Sequence, residues 1–247
     1  MRTLLALSLL ICSSSAFAWW FGEKTYEECV ADATSITTPK RIAGTIQMAC
    51  EGDAWSESES NCVIKSLSNA TVDRLAKITI NACSGSWTKG VNECVLDAVG
   101  NVHSDQSAVS MLNACNGKWA EDESECILDV LDGARIERTS RMLVQACLGK
   151  WPSEINQCLI DHLGGVRNES SASFVMQACN EKWASETNEC VFDSVTEAPT
   201  DLDAFRRLAG CEGRPFGKKE ECVINNVYGS SGLSTKSTVE TLLSECT

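Results

Sequence analysis

The chain has 247 residues, with 34 acidic against 21 basic side chains, a formal charge of −13, and 15 cysteines. That balance favours solubility and disfavours nucleic acid and anionic lipid as partners. Two histidines and no CxxC pair leave little from which to build a metal site.

Arg2 precedes an apolar run over residues 4–12, and Ala16-Phe17-Ala18 forms a small-x-small cleavage site. Residues 1–18 therefore read as a secretory signal peptide, too short for a permanent bilayer anchor. Cys12 follows bulky Ile11, which speaks against lipoprotein processing. No later stretch is apolar for long enough to cross a membrane. The exported chain begins Trp19-Trp20-Phe21, an aromatic arm over residues 19–26. It either folds back over the first hairpin or docks on another surface.

Removing Cys12 leaves 14 of the 15 cysteines, an even number that reads as disulfides in an oxidising compartment. They are Cys29, Cys50, Cys62, Cys83, Cys94, Cys115, Cys126, Cys147, Cys158, Cys179, Cys190, Cys211, Cys222 and Cys246. Steps of 21 alternate with steps of 11, except for 12 after Cys50 and 24 at the end. Self-similarity at a fixed period signals a repeat architecture. Residues 27–247 form one domain of seven units of about 32 residues.

Each unit holds two helical segments. In unit 3 the first carries Val95, Leu96, Val99 and Val102, and in unit 4 Ile127, Leu128, Leu131 and Ala134. Spacings of three and four make a helical stripe rather than a strand alternation. Ser60, Asn92, Ser124, Asn156 and Asn188 stand two residues before the first cysteine, and we read them as N-caps. The second segment carries Ala108, Met111 and Leu112. Gly85, Gly117 and Gly149 stand two residues past its cysteine, where a left-handed cap favours glycine. The end units depart from the pattern. Unit 1 has Pro39 near its second helix, unit 6 puts Phe216 where a tryptophan is expected, and unit 7 has a longer second segment.

Two ten-residue helices of about 15 Å each return the second cysteine of an antiparallel hairpin to the first. Pairing across the shorter link, as Cys115 to Cys126, is the geometric rival, but it strands Cys29 and Cys246. Pairing within units, two by two in chain order, leaves none over. A disulfide closing a loop of about 20 residues contributes on the order of 3 kcal/mol to a hairpin that is otherwise marginal. The fold class is therefore all-α, an α-solenoid of seven disulfide-stapled helical hairpins.

Two-helix repeats of this length resemble tetratricopeptide repeats. The cysteine in both helices resembles the secreted, disulfide-stapled Sel-like repeat proteins. The resemblance covers the exported chain as architecture and implies a curved helical solenoid that holds other proteins. It carries over no functional residue.

Three ladders recur. Trp55, Trp87, Trp119, Trp151 and Trp183 stand beside the staples, which reads as stacking of each unit on the next. Asp32, Asp97, Asp129, Asp161 and Asp193 each follow a first cysteine by three residues, nearly opposite the apolar stripe. They are solvated carboxylates, paired with Lys118, Lys150 or Lys182, or else a groove for a basic peptide. Asn81, Asn113, Gln145 and Gln177 form a row of amides, either solvated surface or contacts for an extended ligand. No calcium loop, serine elbow or cysteine–histidine signature is present. Asn69-Ala70-Thr71 and Asn168-Glu169-Ser170 match the glycosylation acceptor pattern of a eukaryotic secretory pathway.

The reading is an exported, non-enzymatic protein-interaction scaffold without cofactor, in the bacterial periplasm or outside the cell. Its expected partner is another protein, and a basic segment suits the acidic ladder. Two alternatives remain: a structural subunit self-assembling end to end into a filament or envelope assembly, and a redox or metal-binding cysteine-rich protein.

Overall fold

A computed structural model describes residues 25–35, 37–68, 70–218 and 221–222. These residues form six helical hairpins in chain order. The helices are α1 (Tyr26–Ala33) and α2 (Lys40–Glu51), α3 (Glu57–Leu67) and α4 (Arg74–Cys83), α5 (Lys89–Ala98) and α6 (Asp105–Cys115). They continue with α7 (Glu121–Val130) and α8 (Glu137–Cys147), α9 (Ser153–Leu163) and α10 (Glu169–Cys179), α11 (Ser185–Cys190) and α12 (Asp201–Cys211). A π-helical turn, Val191–Val195, continues α11.

Every described hairpin is closed by its own disulfide. The bridges are Cys29–Cys50, Cys62–Cys83, Cys94–Cys115, Cys126–Cys147, Cys158–Cys179 and Cys190–Cys211, with Cα atoms 5.6–6.0 Å apart. That decides for pairing within units and against the cross-link rival. Cys246, the expected partner of Cys222, lies outside the described residues, as do the signal peptide and Trp19, Trp20 and Phe21. Six disulfides belong to an oxidising environment. Among the described residues no helix is long and apolar enough to cross a membrane.

The expected stripes are the core. Val95 and Ile127 are buried in the first helices, Val99, Val102, Leu131 and Ala134 just past their ends, and Ala108 and Met111 in the second helices. Each second helix packs on its own first helix, and α2, α4, α6, α8 and α10 also pack on the first helix of the next unit. Second helices also pack on one another in the series α2, α4, α6, α8, α10, α12. Small hydroxyl residues permit that approach: Thr45, Thr79, Ser107, Thr139, Ser140 and Ser171 are all buried. The Ser107 and Ser140 hydroxyls meet at 2.6 Å across two units.

The N-caps differ from expectation. In units 2 to 6 the first helices begin four residues earlier than the asparagine or serine position, at N-caps Ser56, Thr88, Ala120, Pro152 and Ala184, and unit 1 begins at N-cap Thr25. Thr25 and Ser56 form capping boxes, with the Glu28 and Glu59 carboxylates accepting the cap N–H at 2.8 and 2.9 Å. The Ser56 hydroxyl and N–H together hold the Glu59 carboxyl below its ordinary pKa. Ser60, Asn92, Ser124, Asn156 and Asn188 thus lie in the second helical turn, where their task is different.

The C-caps follow the glycine reading. Gly85, Gly117 and Gly149 adopt φ of 66°, 64° and 65°. The next N–H in each case reaches back to the carbonyls of Asn81, Asn113 and Gln145 at 2.9, 3.0 and 3.0 Å, which completes a Schellman cap. Unit 5 places Glu181 there at φ 53°, without glycine.

The hairpin tips form a second ladder. The Gly165 N–H donates to Gly133 O at 2.8 Å. The Asp73 and Asp201 carboxylates accept the Arg41 and Ser170 N–H at 3.0 and 2.8 Å. Arg135 Nη1 donates to His103 Nε2 at 2.9 Å. Neighbouring units are therefore joined at the core, along the second helices and at the tips.

Candidate functional site

The helices divide by charge. First helices α1, α3, α5, α7, α9 and α11, with the π turn, carry 17 acidic residues against Lys65 and Lys89, a net of −15. Second helices carry 6 acidic against 8 basic residues, a net of +2. The acidity of this chain is thus a property of one row of helices. Helix dipoles account for part of it, because Glu27, Glu57, Glu121, Glu154 and Glu186 stand in first turns, where a carboxylate is favoured. The ladder aspartates Asp32, Asp97, Asp129, Asp161 and Asp193 stand beyond the first turns of the α-helices, so the dipole does not explain them.

Asp32, Asp97, Asp129, Asp161 and Asp193 are all exposed. Asp161 accepts from Gln157 Nε2 at 2.8 Å along its own helix. The lysines do not pair with this ladder. Lys118, Lys150 and Lys182 place their ammonium groups 5.5, 5.5 and 5.0 Å from the ring centroids of Trp119, Trp151 and Trp183.

Trp55, Trp87, Trp119, Trp151 and Trp183 are half-buried against the apolar core. Here the inner asparagines find their use. Asn92 Oδ1 accepts from the Trp87 N–H at 3.4 Å while its Nδ2 donates to Trp87 O at 3.0 Å. Asn156 makes the same clasp on Trp151 at 3.1 and 2.6 Å. Asn188 keeps the half that donates to Trp183 O, at 3.0 Å. The clasp fixes the turn that carries the indole, so the spacing Trp-x4-Asn is one structural device.

The amide row is half-buried, not fully solvated. The backbone carbonyls of Asn113, Gln145 and Gln177 close the helix caps onto Lys118, Lys150 and Lys182, each at 3.0 Å. The Gln177 side chain donates to Ser173 Oγ at 3.3 Å and accepts from Lys182 Nζ. Intramolecular bonding therefore occupies the Gln177 side chain.

The two histidines lie apart. His162 stacks on Phe192 of the next unit at 4.0 Å and 9°. His103 is half-buried between Arg135 and Asp132; burial and the Arg135 charge lower its pKa, against an opposing pull from Asp132. Among the described residues no group of three or more His, Cys, Asp or Glu side chains is arranged to hold a metal ion. Asn168 is buried, and its Nδ2 donates to Ala198 O at 2.7 Å, so this acceptor motif is closed to glycosylation in the folded chain.

Compared with protein-family models, characterised proteins and solved structures, the chain matches none.

Proposed function

We propose that this protein is an exported, non-enzymatic scaffold, acting in the periplasm or outside the cell, whose row of first helices binds a partner protein through a basic segment. The observation that carries this reading is the partition of charge, −15 on the first helices against +2 on the second. A stack of short repeats presents an extended surface on which such a row accumulates potential. Exposed carboxylates attract a basic chain at long range, and salt screens that attraction.

Affinity capture from the native envelope tests it, with wild type beside a variant carrying Asp97→Lys, Asp129→Lys and Asp161→Lys. These positions are exposed, so the variant should fold. The expected result is a captured protein that is lost on charge reversal and on raising salt. Capture that ignores both changes refutes the acidic-face reading.

A further inference from the structure

The first-helix row is interrupted at unit 4. Units 3, 5 and 6 fill the space beside the tryptophan turn with the carboxamide of Asn92, Asn156 or Asn188. Unit 4 has Ser124 there, whose side chain is too short to reach the Trp119 backbone. The Ser124 hydroxyl oxygen is sealed from water and has no hydrogen-bond partner. Beside it opens a groove of about 550 Å³, with Trp119, Leu128 and Ser124 in its walls together with Glu121, Glu125 and Asp129.

Comparison with other positions narrows what the groove suits. Unit 2 also has a serine with an orphaned hydroxyl, Ser60, but Asn61 and Lys65 stand where unit 4 has Glu125 and Asp129. A groove of about 560 Å³ also lies along α8 and α10. Its Arg138 and Arg141 are neutralised by Glu169 and Glu137, each at 3.6 Å. Glu121, Glu125 and Asp129 make no ion pair among the described residues. Among the described units, unit 4 alone combines an open indole wall, a missing asparagine clasp and carboxylates without a cation of their own.

We propose that this groove is the subsite for one basic side chain, the arginine or lysine of a partner's segment; the proposal rests on the scaffold reading above. An alkyl stem would lie along Leu128 and the indole, as long cationic side chains do on apolar surface. The cation would face the carboxylates and the indole π-surface. Trp119 already holds the Lys118 ammonium 5.5 Å from its ring centroid, so the ring is placed for cation contact. Three carboxylates against that single ammonium leave negative charge to be neutralised.

The test uses the exported chain and the peptide Ac-Gly-Ser-Arg-Ser-Gly-NH2, with citrulline replacing arginine as the uncharged control. The Trp119 indole N–H resonance, assigned with Trp119→Phe, is followed on titration. The arginine peptide should shift it saturably and the citrulline peptide should not. Glu125→Gln with Asp129→Asn should weaken the response by about tenfold. Ser124→Asn should restore the clasp, fill the groove and abolish the response while the melting temperature holds or rises, so lost binding is not lost folding. Equal response to both peptides, or an unchanged response in Ser124→Asn, overturns the subsite. A native partner still captured by Ser124→Asn alongside a silent peptide titration refutes the subsite and leaves the scaffold reading standing. A responsive titration with no captured partner supports the subsite and counts against the scaffold reading.

Discussion

Gly133→Ala should destabilise the solenoid far more than its place in a half-buried turn implies. A Cβ built on Gly133 lies 2.8 Å from Gly164 Cα and 3.4 Å from Gly165 N. The obstruction is backbone, so no rotamer change relieves it. Gly133 does not have positive φ; glycine is required there by proximity alone. Restoring ordinary contact near 3.6 Å parts the tips by about 0.8 Å, which also stretches the 2.8 Å bond from Gly165 N–H to Gly133 O. Overpacking of this kind costs roughly 1–3 kcal/mol and the weakened hydrogen bond roughly 0.5–1.5. Together these give about 2–4 kcal/mol, a fall of roughly 5–15 °C in melting temperature for a chain of this size. Gly164→Ala is the matched control, since its Cβ meets nothing within 4 Å and its φ of −59° suits alanine. It should be neutral or stabilising by roughly 0.4–1 kcal/mol. Denaturant and thermal unfolding of both variants decide the matter. If Gly133→Ala lies within about 0.5 kcal/mol of wild type, or Gly164→Ala is equally damaging, the close-approach argument is wrong.

The remaining predictions concern the tips and the staples. His103 accepts a bond from Arg135 only while Nε2 is unprotonated, and burial together with the Arg135 charge lowers its folded pKa below 6.5. Its contribution to stability is therefore complete above pH 6.5 and is lost as pH falls through the lowered folded value. Melts between pH 5 and pH 8 should show a slope that His103→Gln flattens; a slope that survives belongs to other groups. Removing one staple as Cys94→Ala with Cys115→Ala opens a closure of sequence separation 21 and should cost about 3.3 kcal/mol. A loss below about 1 kcal/mol in denaturant unfolding would show that stacking, not closure, holds the hairpin.

The hairpins and their pairing were legible because cysteine positions record a period directly and an even count constrains the partners. The helix starts were not. Ala120, Pro152 and Ala184 are weak cap residues, whereas Asn92 and Asn156 are strong ones, so propensity pointed to the wrong turn. Their carboxamides reach five residues back instead, a bond no local pattern announces. The acidic ladder was visible, but its limits were hidden. The lysines expected to pair with it lie on indoles instead, and Gln177 is engaged by its neighbours. The groove at unit 4 follows from what Ser124 lacks. Only comparison with the clasped units reveals that absence.

The closure of each hairpin on itself sets how the chain responds to tension. A pull applied through the ends would travel from one bridge to the next, bypassing the residues between paired cysteines. The path that carries the force through an extended unit is then the step of 11 residues, as from Cys115 to Cys126, plus one bridge of about 6 Å. At about 3.5 Å per residue that is roughly 45 Å, against about 110 Å for an uncrosslinked 32-residue unit. Units can be pulled apart from one another while each hairpin keeps its covalent loop and the means to fold again.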